Sequence, residues 1–151
     1  MASNDAFNLT REIIEQKTVF TKALKHLAPG TEIRVLLEGG SENALFFANG
    51  RPQLESRLSP HADVEFVLSY RALENLKSAT GDDMGEFGIL VAKQIMAGEI
   101  KLKVCGKVRH VLTRGYLTIV REAGPSFGKY LAQNGLTHLP KIISVIKKLK
   151  K

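Results

Sequence analysis

The chain has 151 residues, of which 44% are hydrophobic and 25% charged. A chain of this size and make-up buries about 70% of its unfolded surface as one globular domain, which excludes disorder along most of its length. Its single cysteine, Cys105, excludes an internal disulfide and every cysteine-based zinc pattern, and its net charge of +7 permits an anionic partner without specifying one.

The first ten residues carry neither a basic start nor an apolar run. No later stretch reaches the ~18 apolar residues of a spanning helix, so a soluble, cytoplasmic chain is expected, in keeping with the lone cysteine. Over residues 9–27, Ile13, Phe20, Leu24 and Leu27 recur at helical spacing and predict one amphipathic helix, closed by Pro29 and Gly30. Residues 32–38 and 44–48 read as strands, and Asn49-Gly50 is the favoured pair for a two-residue hairpin turn. Pro52 removes a ladder donor from the next segment, 51–58, which predicts a short or edge strand.

From Ala62 to Ser69, Val64, Phe66 and Leu68 alternate with Asp63, Glu65 and Ser69, the period of a half-buried strand. Ser69 is placed to cap a short helix bearing Leu73 and Leu76. Phe87, Leu90, Val91 and Ile95 form one helical stripe ending at Met96, with Gly85 and Gly88 weakening its first turn. After Gly98 a further strand turns Ile100, Leu102 and Val104 inward and stops at Gly106. Val108, Val111, Leu112, Gly115 and Ile119 are spaced helically, whereas Tyr116 to Val120 is rich in strand formers; both readings stay open. Pro125, Phe127, Tyr130 and Leu131 predict a short helix, and Pro140 opens a last one bearing Ile142, Ile143, Ile146 and Leu149. No repeat or linker divides the chain, so 1–151 reads as a single α+β domain.

The phrase Ala62-Asp-Val-Glu-Phe-Val-Leu-Ser69, then Leu73 and Leu76, then Ile95-Met-Ala-Gly-Glu-Ile-Lys-Leu-Lys-Val-Cys-Gly106, resembles the sterol carrier protein type two domain. The likeness spans residues 31–120. It implies a mostly antiparallel five-stranded sheet with helices packed over one face, enclosing an apolar cavity. It also implies non-catalytic binding or transfer of a fatty acid, acyl-CoA, sterol or phospholipid, with no cofactor. Two features depart from the family phrase: a glycine-rich segment from Thr80 to Gly88, and Lys107 where an aspartate is usual.

On this resemblance Phe20, Leu24, Phe66, Phe87, Leu90, Val91, Met96, Val108, Leu112 and Ile119 line the cavity, although an apolar stripe of this kind also reads as ordinary core. Lys93, Lys107 and Arg109 are the candidates for a carboxylate or phosphate head group at the mouth. In the last helix Lys141, Lys147, Lys148 and Lys151 gather opposite the apolar residues. Such a helix either docks on an anionic membrane or covers the protein's own cavity.

Other chemistry finds less support. His61, Asp63 and Glu65 alternate and share one strand face where a metal could bind, but a solvated face is the expected reading. His26, His110 and His138 have no zinc spacing. Cys105 lies between Lys103 and Lys107, yet an inert thiol is expected over a nucleophile. Gly98 and Gly106-Lys107 do not make a phosphate loop, and no Gly-x-Ser-x-Gly elbow occurs, so no enzyme and no metal site are expected. Two alternatives to a free lipid carrier remain. One is an accessory domain presenting an apolar substrate to a separate enzyme. The other, a nucleic-acid-binding protein, is suggested by a pI near 9.6. It is disfavoured because no basic run is interleaved with exposed aromatics, and of Phe46 and Phe47 one must point inward.

Overall fold

Side chains that alternate between oil and water along five short segments build the sheet. The computed structural model describes residues 2–38, 41–79, 83–106, 110, 113–124, 127 and 129, the side chains of 2–4, 41, 116, 117 and 120 excepted. The strands β1 (Ile33–Leu37), β2 (Ser41–Ala48), β3 (Arg51–Glu55), β4 (Val64–Leu68) and β5 (Ile100–Val104) lie in the order β3-β2-β1-β4-β5. Three neighbouring pairs are antiparallel and one, β1 with β4, is parallel. The mostly antiparallel α+β architecture expected from the sequence is therefore present.

Register places one row of residues, Leu54, Leu45, Ile33, Val64 and Val104, across all five strands on the same face. A second row runs Asn43, Val35, Phe66, Leu102, and a third includes Leu37, Leu68 and Ile100. Phe47 shares this face and packs on the core, so Phe46 points the other way, beneath the Arg57 guanidinium at 5.5 Å. The β2–β3 turn is made by Asn49 and Gly50 at φ 57° and 77°, both left-handed as the primed hairpin turn demands. Pro52 sits in edge strand β3, as its missing donor required.

Five helices have both ends within the described residues: α1 (Ala2–Gln16), α2 (Thr18–Leu24), α3 (Tyr70–Ser78), α4 (Met84–Met96) and α5 (Tyr116–Ala123). The single helix expected over 9–27 is in fact two, and the first begins at Ala2. Lys17 breaks it with extended backbone, φ −94° and ψ 117°, and its ammonium donates to the carbonyl of Ala79 at 2.5 Å, just past α3. The apolar period runs through this break because Ile13, Ile14, Val19 and Leu24 are all buried on the two sides of it. Ser69 caps α3 as expected, its hydroxyl accepting from the Ala72 amide at 3.0 Å. Asp83 does the same for α4 through the Glu86 amide at 2.8 Å. Residues 116–123, open between helix and strand in the sequence, are helical.

Helices and sheet share one core of Ala6, Ile13, Ile14, Leu24, Leu27, Ala72, Leu73 and Leu76 against Ile33, Val35, Leu37, Leu45, Leu54, Leu68 and Ile100. α1 and α2 lie against β3, α4 against β5, and α5 bridges α2 and α4. Gly85 and Gly88, which looked only like helix weakeners, are sites of close approach. A methyl group on Gly85 would stand 2.7 Å from the Ala123 carbonyl oxygen, and one on Gly88 would stand 2.8 Å from the Phe127 ring. Among the described residues no helix is long and apolar enough to cross a membrane. The helix predicted from Pro140 lies outside the described residues, and of the one predicted over 125–131 only Phe127 and Lys129 fall within them, both helical.

Candidate functional site

α4 is built from Met84, Phe87, Ile89, Leu90, Val91, Ala92, Ile95 and Met96, apolar on nearly every side, yet only its Ala92 and Gln94 are buried. A helix of this composition is normally enclosed. Here Phe87, Leu90, Val91 and Ile95 touch the core while staying partly exposed, together with Phe20 of α2, Phe66 of β4 and Ile119 of α5. Phe20 and Phe87 meet edge to face, ring centres 5.2 Å apart at 73°, and so link α2 to α4 across this seam.

Six of the ten residues assigned to a cavity from the sequence, Phe20, Phe66, Phe87, Leu90, Val91 and Ile119, therefore pack around the same core. Leu24 lies within that core at 5% exposure, and Met96, at the end of α4, stands out at 49%. Val108 and Leu112 lie outside the described residues, as do Lys107, Arg109, Lys141, Lys147, Lys148 and Lys151. Lys93 is described and is exposed on α4. Ile95 completes the seam and was legible in the same helical stripe. The one buried polar side chain of α4, Gln94, accepts from Asn75 of α3 at 2.9 Å, so the helix has a polar anchor beside its oily faces.

The solvated strand face expected for His61, Asp63 and Glu65 needs correction. His61 is exposed, but Asp63 is 1% exposed and Glu65 is tied to Arg34 at 3.1 Å. Asp63 is buried because charge comes to meet it: Arg114 Nη1 lies 3.1 Å from both carboxylate oxygens, and His110 Nδ1 lies 3.5 Å from Oδ1. Its backbone carbonyl also accepts from the amides of Cys105 and Gly106, at 2.9 and 3.1 Å. Gly106 fits there since a side chain would begin 3.2 Å from Asp63 Oδ1. Among the described residues no three His, Cys, Asp or Glu side chains are grouped to hold a metal ion.

On the sheet face turned from the helices, Arg34 donates to Glu65 and to the Ser59 carbonyl, at 3.1 and 3.0 Å. The bond to Glu65 holds its guanidinium more firmly protonated. Burial pushes the Cys105 thiol up, with Glu65 adding to the effect against the opposing pull of Arg34 and Lys103; this agrees with an inert thiol. At the edge of this face Arg57 binds Glu32 at 2.6 Å and Glu55 at 2.7 Å, and Ser59 adds a bond to Glu32 at 3.0 Å.

The Arg57 bond, ahead of the opposing effect of burial, lowers the Glu32 pKa from 4.5. A carboxylate with a depressed folded pKa stabilises the fold fully above its unfolded value and loses that contribution as pH falls through the lower folded value. Arg57→Gln is thus expected to cost less than about 1 kcal/mol near neutrality, given the exposure of the pair. The gap from the parent should be full above the unfolded value of 4.5 and close as pH falls below it. Thermal unfolding of both proteins across that range checks it, and a gap that widens with acid contradicts the assignment.

No protein-family model and no curated protein matches the chain. Among solved structures it is similar to a UbiJ-SCP2 ubiquinone synthesis protein, at 15% identity and TM-score 0.45, over 81% of this chain and 95% of that one. It is also similar to sterol carrier protein 2 from Yarrowia lipolytica in its apo form, at 17% identity and TM-score 0.36, over 79% of this chain and 89% of that one. A third, a stereoselective inverting sec-alkylsulfatase from Pseudomonas sp., matches at 21% identity and TM-score 0.38, over 60% of this chain and 12% of that one.

Proposed function

We propose that this chain binds an apolar lipid, acyl-like or sterol-like, between α2, α4, α5 and the sheet, and carries it in the cytoplasm without altering it. The observation that supports this reading is the state of α4: an apolar helix resting on the core with Phe87, Leu90, Val91 and Ile95 only partly covered. Apolar surface left at such a seam is a standing cost of about 25 cal/mol per Å², which a hydrocarbon guest removes. A chain of about sixteen carbons gains about 12 kcal/mol on burial at ~0.8 kcal/mol per methylene. Association costs from ~4 to ~15 kcal/mol; at the low end about 8 kcal/mol remains, a dissociation constant of about a micromolar.

The guest's polar head stays at the mouth, since burying an unpaired charge costs more than any methylene returns. Lys93, Lys107 and Arg109 are assigned to meet it, and the basic residues Lys141, Lys147, Lys148 and Lys151 to anionic membrane during exchange.

Titration with the fluorescent fatty acid cis-parinaric acid tests the reading, alongside solvent extraction of the purified protein for co-purified lipid. Leu90→Gln is expected to weaken binding about tenfold by placing an unpaired amide against the guest, while the fold, read by circular dichroism, is kept. Saturable binding that Leu90→Gln leaves unchanged, or no binding by the parent protein, would remove the proposal.

A further inference from the structure

Alternation along a strand sends one set of side chains toward the helices and the other set away from them. On the face turned away, the register aligns Glu42 of β2, Leu36 of β1, Val67 of β4 and Lys101 of β5 in one row. The row reads acid, apolar, apolar, base. At its acidic end the Glu42 carboxylate accepts the Ser59 amide at 2.8 Å and lies 3.6 Å from Arg34 Nε, both through Oε2, and its side chain stays 26% exposed. At its basic end Lys101 is exposed, as is Lys103 one row along, and among the described residues neither forms an ion pair. Glu65, beside Lys103 in the register, is committed to Arg34 at 3.1 Å. Leu36 and Val67 lie between the two ends, half-buried on two inner strands.

We propose that this face pairs with the same face of a second copy of the chain, about a two-fold axis that runs along the strands between β1 and β4. Such an axis exchanges β1 with β4 and β2 with β5, so each Lys101 meets Glu42 of the other copy and each Leu36 meets its Val67. Charge selects the axis. A row with an acid at one end and a base at the other matches itself only when reversed, which an axis along the strands achieves. A two-fold across the strands would instead set β5 on β5 and bring Lys101 and Lys103 against their own counterparts, a repulsion. Shape agrees with charge. The loop after β3 covers the β1–β2 half of the face: the Ser59 carbonyl accepts from Arg34 at 3.0 Å, the Ser59 amide holds Glu42, and Arg57 lies over Phe46. The axis lays this loop over β4 and β5 of the second copy, where Lys101 and Lys103 are exposed, and Leu58, on the same loop and 71% exposed, is carried across with it. Both apolar seams face outward in such a pair, which therefore does not depend on the carrier reading.

Zero-length carbodiimide cross-linking of the full chain, in an equal mixture of heavy-nitrogen-labelled and unlabelled protein, tests the pairing. The expected product is a dimer in which Glu42 of one isotopic form is joined to Lys101 of the other. Within one chain three strand spacings, about 14 Å, separate the two residues, beyond the reach of that bond. In sedimentation the parent is expected to dimerise with rising concentration. Lys101→Glu should weaken the dimer at least about tenfold, because the reversed charge meets Glu42 twice in each pair. Lys25→Glu makes the same change of net charge at an exposed position just after α2 and should leave the dimer unchanged. A chain that stays monomeric up to about 1 mM, a dimer without the Glu42–Lys101 link, or equal weakening by the two variants would each overturn the pairing. The link is read on the parent protein, so it decides even if a variant does not fold. Failure to take up fatty acid would remove the carrier reading and leave this pairing standing.

Discussion

One added methyl group, in Gly115→Ala, is expected to lower the melting temperature by about 6–12 °C or more, the shift produced by a loss of about 3 kcal/mol in a chain of this size. Two effects add. The left-handed backbone at φ +102° costs alanine about 1–2 kcal/mol by itself. The new carbon would also start 1.9 Å from the His26 carbonyl oxygen and 2.7 Å from its carbonyl carbon, where only backbone movement makes room. Gly50→Ala is the matched control, because φ is +77° there with nothing within 4 Å, so only the conformational cost applies. Equal losses in the two variants, measured by thermal unfolding, would show that close approach to His26 plays no part.

The second large effect is expected from Leu73→Ala, at a cost of about 2–5 kcal/mol. Leu73 is 0% exposed in α3 and belongs to the core shared by α1, α3 and the sheet, so truncation leaves a hole inside that core. Leu58, at 71% exposure, provides the comparison: its truncation should change stability by less than about 0.5 kcal/mol. Urea unfolding of both variants measures the difference. A Leu73→Ala loss no larger than that of Leu58→Ala would mean that the core is not where burial places it.

The sheet was readable in the sequence because each strand turns one face to the helices and one away. Val64, Phe66 and Leu68 announce β4 by period alone, Pro52 marks an edge, and Asn49-Gly50 fixes the hairpin, all local signals. α4 was equally plain from Phe87, Leu90, Val91 and Ile95, and most of the apolar seam came with it. The features that escaped are those decided by distant contacts. Lys17 interrupts a helix whose apolar period continues on both sides, and its side chain answers to Ala79, 62 residues away. Asp63 looked like a surface carboxylate since its partner, Arg114, lies 51 positions further on in a segment of undecided type. Gly85 and Gly88 carried a penalty in any propensity argument, while their use, room for the Ala123 carbonyl and the Phe127 ring, exists only in the folded chain. The same limit applies to the candidate site: the apolar stripe was legible, but how much of it the fold leaves uncovered was not.

The strand order also decides how this chain tolerates crowding with its own copies. Among the described residues β3 and β5 each have a strand neighbour on one side only, the position from which sheets recruit further strands and grow into insoluble stacks. β3 carries Pro52, which interrupts any continuous ladder, and β5 carries Lys101 and Lys103, both exposed, so that a second molecule approaching in register would set like charges against one another. The two outer strands thus each carry a feature that opposes polymerisation, and replacing Lys101 and Lys103 by neutral strand-forming residues is expected to increase aggregation, as read by light scattering.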